Sequence, residues 1–167
     1  MTPNIHLICG LPGAGKTTYA ERLRLDLRAV RFSIDEWNDR LFFMDCDPTS
    51  DFDWFYERVK RCCAQMRDTA QQVIDSGRTA IFDCGLTNGH ERQTFYDWAD
   101  DHGFSTSLHF LDIEENERWN RVQRRNAERG DTFRLEVTLD MFDFMNTIWE
   151  APSSQEMARY CGRHITD

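Results

Sequence analysis

Long apolar runs are missing from this chain. The longest, such as Ile5 to Cys9, are short and broken by polar residues, whereas a membrane span needs ~20 apolar residues and a secretory leader a basic start with an apolar core. Neither a membrane association nor secretion is expected. Positive charge is also in deficit: 20 Lys+Arg against 29 Asp+Glu leave a net −9, which opposes indiscriminate attraction to nucleic acid or anionic lipid and leaves room only for a local basic groove. The six cysteines (Cys9, Cys46, Cys62, Cys63, Cys84, Cys161) contain no C-x-x-C pair, and no His or second Cys stands at structural-zinc spacing. They read as reduced thiols of a cytoplasmic protein, each a small buried apolar side chain. His6, His90, His102, His109 and His164 form no ligand pattern. There is no internal repeat and no Gly/Ser linker, so residues 1–167 are expected to form one domain.

What is present is an alternation. Hydrophobic residues at 40% and charged residues at 29% match globular usage and exclude a disordered chain. Ile5 to Cys9 suits a buried strand ending at a glycine-rich turn. Thr17 to Ala29 is helical in period through Ala20, Leu23 and Leu27, and Val30 to Ile34 is a second strand ending at Asp35. Glu57 to Ser76 repeats apolar residues at helical spacing up to Gly77, a left-handed stop, and a third strand, Thr79 to Phe82, ends at Asp83. A helix over Glu91 to His102, a strand over Ser105 to Leu111, a polar helix from Glu114 to Arg129 and an amphipathic helix from Thr138 to Trp149 complete the readable part. Residues 150–167 fit a short strand, a helix or a loose tail. Strands alternating with helices indicate an α/β fold with a mostly parallel sheet of about five strands, whose ligands bind at the carboxyl ends of the strands.

Gly10-Leu11-Pro12-Gly13-Ala14-Gly15-Lys16-Thr17-Thr18 fits G-x4-G-K-[ST] and lies between a strand and a helix, where the chemistry requires it. Glycines let successive backbone N–H groups curl around a polyphosphate, the following helix aims its positive end at the same anion, and Lys16 adds a mobile charge. Thr17 would hold Mg2+ through its hydroxyl. Ordinary composition produces the bare pattern in roughly one chain of this length in a couple of hundred. A glycine turn that merely caps a helix is the bland alternative.

In a parallel sheet Asp35 and Asp83 emerge at the same edge as the phosphate loop. Phosphoryl transfer needs a carboxylate for the acceptor hydroxyl's proton and usually another acid near the metal, and these two can share the work. The plainer roles are a helix N-cap for Asp35 and a turn residue for Asp83. Arg118, Arg121, Arg125 and Arg129 lie on one arc of a helix and can close over phosphates. Glu114 and Glu117 each precede an arginine by four residues, so Arg118 and Arg121 also fit surface ion pairs. Aromatics and acids crowd residues 36–56, among them Trp37, Trp54, Asp45, Asp47 and Asp51, as a pocket wall or cap for a cationic or hydroxyl-rich acceptor, or as plain core with acids facing water.

Together, Gly10 to Thr18, Ser33-Ile34-Asp35, the strand ending at Asp83 with Arg92 beyond it, and Arg121-x3-Arg125-x3-Arg129-Gly130 resemble the small P-loop kinases: the kinase domain of phage polynucleotide kinase, zeta toxins, chloramphenicol phosphotransferase and gluconate kinase. The resemblance covers about residues 4–150. It implies a P-loop NTPase-type three-layer α/β/α fold with a helical lid over about 114–136 and an acceptor-side cap over about 36–56. It implies ATP and Mg2+ as cofactors, Asp35 as base toward the acceptor, Arg129 and its neighbours Arg121 and Arg125 as phosphate clamps, and Asp83 on the metal or acceptor side. Arg40, Asn88 and Arg92 join the acceptor set, and Trp149 to Pro152 forms an adenine wall. Two departures stand out. Polynucleotide kinases carry an arginine three positions after the base, where Asn38 stands here, and Thr-Asn directly after the third-strand aspartate, where Cys84-Gly85 stands and Thr87-Asn88 follows later. Both weaken a nucleic-acid 5′-hydroxyl as acceptor.

The expected function is an ATP- and Mg2+-dependent kinase acting on a hydroxyl of a small metabolite, antibiotic or nucleotide sugar. Its rivals are a polynucleotide 5′-hydroxyl kinase and a nucleotide-binding switch or ATPase that reports to a protein partner. Neither an N-K-x-D base-reading motif nor a decisive adenine contact is visible, so the choice between ATP and GTP as donor stays open at this point.

Overall fold

The structure is a computed structural model that describes residues 4–45, 52–131 and 133–167. Five strands, β1 (Ile5–Cys9), β2 (Val30–Ser33), β3 (Ala80–Gly85), β4 (Thr106–Leu111) and β5 (Arg163–Ile165), form one sheet in the order β2-β3-β1-β4-β5. Every pairing is parallel. Between them run α1 (Lys16–Leu27), α2 (Ile34–Leu41), α3 (Phe52–Asp75), α4 (Gly89–Asp101), α5 (Glu115–Glu128), α6 (Leu139–Thr147) and α7 (Ser154–Arg159). No described helix is long and apolar enough to cross a membrane.

Side chains of a strand alternate between faces, and in a sheet covered on both sides both sets are apolar. Ile5, Leu7, Phe32, Ala80, Phe82 and Leu108 pack with Cys62, Met66 and Ala70 of α3 and Phe95 and Ala99 of α4. On the opposite face Ile8, Ile81 and Leu111 pack with Ala20, and Leu23 and Leu27 of α1 lie against them. The result is the three-layer α/β/α arrangement that the resemblance implied. From β1 the chain moves to one side for β2 and β3 and to the other for β4 and β5, so the crevice opens at the carboxyl end of β1, where the glycine loop starts.

Several boundaries differ from the expectation. Asp83 sits inside β3, in register with Ser33 and Ile8, and the next β1 residue, Cys9, pairs with Gly85, so Cys84 is the extra residue of a bulge beside that acid. Asp35 is the second residue of α2 and not its cap; Ser33 caps that helix, accepting from the Glu36 N–H at 3.5 Å. The third helix begins five residues before Glu57, at Phe52. Of the expected cap, Asp47 and Asp51 lie outside the described residues, as does Cys46. The described aromatics join α2 to α3: Phe42 meets Trp54 edge-on at 6.4 Å, and the Arg58 guanidinium lies 3.3 Å from the Trp54 ring centre. Two of the three alternatives left open for the last residues are realised. α7 opens with a capping box between Ser153 and Glu156, and β5 completes the sheet against β4.

Candidate active site

The glycine loop closes on itself around the end of β1. Gly13 approaches the start of α5 so closely that a Cβ there would collide with the backbone carbonyl of Arg118. Gly15, with φ +88°, is the left-handed residue from which α1 starts; a side chain would have to adopt a conformation that costs it energy. Lys16 lies back over the loop, its Nζ donating to the Leu11 carbonyl at 3.0 Å. Burial pulls its ammonium pKa down, while Asp83 and Asp35 hold it up. A bound polyphosphate could take over from the Leu11 carbonyl without any other partner being lost.

Asp83 and Asp35 both come to this loop. Asp83 is 5% exposed. Burial, and then the charge of Asp35, push its carboxyl above the usual range; Lys16, Arg31 and a hydrogen bond from the Thr17 hydroxyl work the other way. Thr17 and Asp83 are thus adjacent, as a pair that would hold Mg2+ has to be. Among the described residues no cluster of three or more His, Cys, Asp and Glu suited to a metal exists. Asp35 is exposed at the start of α2, has no ion-pair partner among the described residues, and senses the charges of Lys16 and Arg125.

The arginine face of α5 divides by position. Arg118 is buried and braces the fold: it donates to the carbonyls of Ile113 at 3.0 Å and Pro12 at 3.4 Å and to Asn146 Oδ1 at 3.1 Å. Arg121 is bound to Glu117 at 2.6 Å, the surface pair anticipated for it, yet its Nη1 also lies above Gly15, 3.8 Å from where a Cβ would be. Arg125 turns inward toward Lys16 and Asp35, and its buried Nε has no hydrogen-bond partner among the described residues. An unsatisfied guanidinium nitrogen beside a phosphate loop is a donor without its acceptor. Arg129, the expected clamp, is the left-handed C-cap of α5, largely exposed, paired with Glu136 at 3.3 Å and stacked over Phe133.

Three expected acceptor-side residues lie in different surroundings. Asn88 is the N-cap of α4, its Oδ1 accepting from the Glu91 N–H at 2.9 Å. Arg92 is 1% exposed and fastens the C-terminal segment: Nε donates to Glu156 at 2.8 Å and Nη1 to the Glu150 carbonyl at 2.7 Å. Both side chains make structural bonds. Arg40 lies exposed in the last turn of α2. Trp149, the expected adenine wall, packs against Phe110 with ring centres 5.8 Å apart.

A cavity of about 350 Å³ opens beside Asp35, lined among others by Thr17, Thr18, Glu21, Arg31, Glu36 and Arg134. Arg31, Glu36 and Arg134 were not anticipated. The available signal was Arg31 itself, a charge in the middle of the short strand V-R-F-S, since a buried cation on a strand requires partners.

The fold and the loop together define a P-loop protein. The chain belongs to the family described as an AAA domain, whose model matches residues 5–151. None of the curated proteins matches the sequence. Among solved structures it is similar to Chaetomium thermophilum Kti12 in complex with ADP-AlF3, with a TM-score of 0.74 and 13% identity over 97% of this chain and 88% of that one. It is also similar to a sugar kinase from Janibacter sp. HTCC2649 (TM-score 0.66, 14% identity, 98% and 85% covered). A third is the Mycobacterium tuberculosis APS kinase in complex with AMPPNP and APS (TM-score 0.64, 14% identity, 98% and 88% covered). Identities this low carry the fold and nothing about the substrate.

Proposed function

We propose that this protein is an ATP- and Mg2+-dependent kinase that transfers the γ-phosphoryl group to a hydroxyl of a small molecule, such as a metabolite, an antibiotic or a nucleotide sugar. The observation that carries the reading is the convergence of Lys16, Asp35, Asp83 and Arg125 on the carboxyl edge of the sheet, beside a cavity large enough for a small acceptor. Mg·ATP, when bound, would supply the electrophilic phosphorus and its leaving group. The chain's own contribution is positioning and charge. The loop amides and Lys16 hold the phosphates, Thr17 and Asp83 hold the metal, and Arg125 neutralises charge that builds during transfer. Asp35, exposed to the cavity, accepts the proton of the acceptor hydroxyl.

Asn38 is 1% exposed on α2, so the position that bears an arginine in polynucleotide kinases presents no cation here. Together with the net charge of −9 this favours a small acceptor over a nucleic-acid end. The test is transfer of γ-labelled phosphate from ATP·Mg2+ to a panel of sugars, aminoglycosides, amphenicols, nucleosides, nucleotide sugars and a 5′-hydroxyl oligonucleotide, with Asp35→Asn as control. Label on one small acceptor, lost in the control, is expected. Label on the oligonucleotide alone would replace the small molecule by a nucleic-acid end. Tight ATP binding with hydrolysis equal in the control would favour a switch that acts on a protein partner.

A further inference from the structure

Arg31 stands at the middle of edge strand β2, and strand alternation places it on the α1 side of the sheet with Asp83, because Phe32 and Phe82 face the other core. On that side its guanidinium meets carboxylates from three different elements. Nη1 donates to Asp83 Oδ2 on β3 at 3.0 Å, Nη2 donates to Glu36 on α2, and Nε lies 3.6 Å from Glu21 on α1. The side chain is 10% exposed, and what shows lines the cavity beside Asp35. Arg134 reaches the same Glu36 from beyond α5, at 4.0 Å.

We infer that Arg31 is a positioning residue: one guanidinium fixes the carboxylate that would hold the metal, Asp83, and ties it to α2, the helix that carries Asp35. The inference rests on the proposed Mg·nucleotide site and adds to it the part that keeps two neighbouring acids apart and aimed. With Oδ2 engaged by Arg31, the carboxylate plane is set and Thr17 finds Asp83 in place. A planar fork can serve Asp83 and Glu36 at once, which a lysine ammonium cannot do with the same geometry. A strand arginine that merely solvated an edge would point to water; this one spends its donors on acids of the site.

The test measures AMPPNP affinity with and without Mg2+, and so needs no acceptor. In the wild type Mg2+ strengthens binding. In Arg31→Ala that gain is expected to fall by about tenfold, the worth of a lost charge-assisted hydrogen bond, while metal-free affinity stays within about twofold. Methylguanidinium, which can enter through the cavity, should restore much of the gain, and sodium chloride of equal ionic strength should not. If Arg31→Ala does not fold, Arg31→Lys replaces it, with the gain expected to fall by at least about threefold. A gain equal to wild type in either variant overturns the assignment of Arg31 and leaves the kinase reading standing. A wild type without any Mg2+-dependent gain overturns both.

Discussion

His6 Nδ1 lies 2.8 Å from His109 Nε2 in the interior of the sheet, and the Tyr19 hydroxyl lies 2.8 Å from the other nitrogen of His109. Two imidazoles in such contact cannot both be charged. Burial, with Arg163 nearby, pulls His6 down to about 4, and burial together with His6 pulls His109 down to about 3. A histidine whose folded pKa is depressed below the unfolded 6.5 binds protons first in the unfolded chain. Its contribution is complete above pH 6.5 and is lost as the pH falls from there toward 4 and 3. Between pH 7 and pH 5 the loss is about 2 kcal/mol for each histidine that stays neutral in the fold. The measurement is an NMR titration of the imidazole protons with parallel urea melts. Flat shifts for both rings between pH 8 and 5 are expected, and a midpoint near 6.5 for either ring would contradict the buried neutral pair.

Gly13 gives a purely steric prediction. A Cβ at that position meets the Arg118 carbonyl, which is held in α5, and the Arg118 side chain itself donates to Pro12 and Ile113. The neighbour cannot retreat without moving the helix or the loop. Gly13→Ala should weaken ATP binding by about tenfold or more and destabilise the fold by ~1–3 kcal/mol. Isothermal titration of nucleotide and thermal melts read both effects. Unchanged affinity would mean that the loop tolerates the displacement.

Arg92 predicts a stability effect where sequence reasoning placed an acceptor contact. Its guanidinium serves Glu156 and the carbonyls of Leu86 and Glu150, and Glu156 in turn accepts from Tyr96 and the Ser153 N–H. Removing the cation strands a partly buried carboxylate and two carbonyls and loosens the hold on α7 and β5. Arg92→Met should cost about 3 kcal/mol of stability, with the acceptor KM unchanged in the folded fraction. An acceptor KM raised several-fold with an unchanged Tm would restore the acceptor role.

The contrast between Gly13 and Arg92 shows what the sequence discloses. The phosphate loop is legible because its chemistry is local: strand, glycines, lysine and helix follow one another within a few residues. Asp35 and Asp83 could be placed at one sheet edge from strand order alone. Two of the partners of Arg92 lie 58 and 64 residues away, at Glu150 and Glu156, in a segment whose strand is three residues long and exists only by pairing with β4. No periodicity can reveal that. Arg31 was hidden for a related reason, since its meaning depends on the register of β2 against β3. The arginine stripe of α5 was visible at its spacing, but which arginine faces the loop is decided by packing against Pro12 and Asn146.

Lys16 and Asp35 occupy the same cluster yet should fail in different ways, and the difference tests the roles given to them. Lys16 is half-buried over the loop and bonded to Leu11 at 3.0 Å, so its charge acts where phosphates bind. Lys16→Ala should weaken ATP by at least about tenfold and abolish transfer, since ground-state and transition-state charge both rely on it. Asp35 touches the cavity and no part of the loop by hydrogen bond, so Asp35→Asn should keep nucleotide affinity within about twofold. Its kcat should fall by ~10²–10⁴, the range for a lost general base. Equilibrium binding of a fluorescent ATP analogue and steady-state transfer to the acceptor found in the panel separate the two. Wild-type turnover in Lys16→Ala would remove the P-loop from the reaction, and retained kcat in Asp35→Asn would reduce that residue to a helix-start carboxylate that favours the α2 dipole and nothing more.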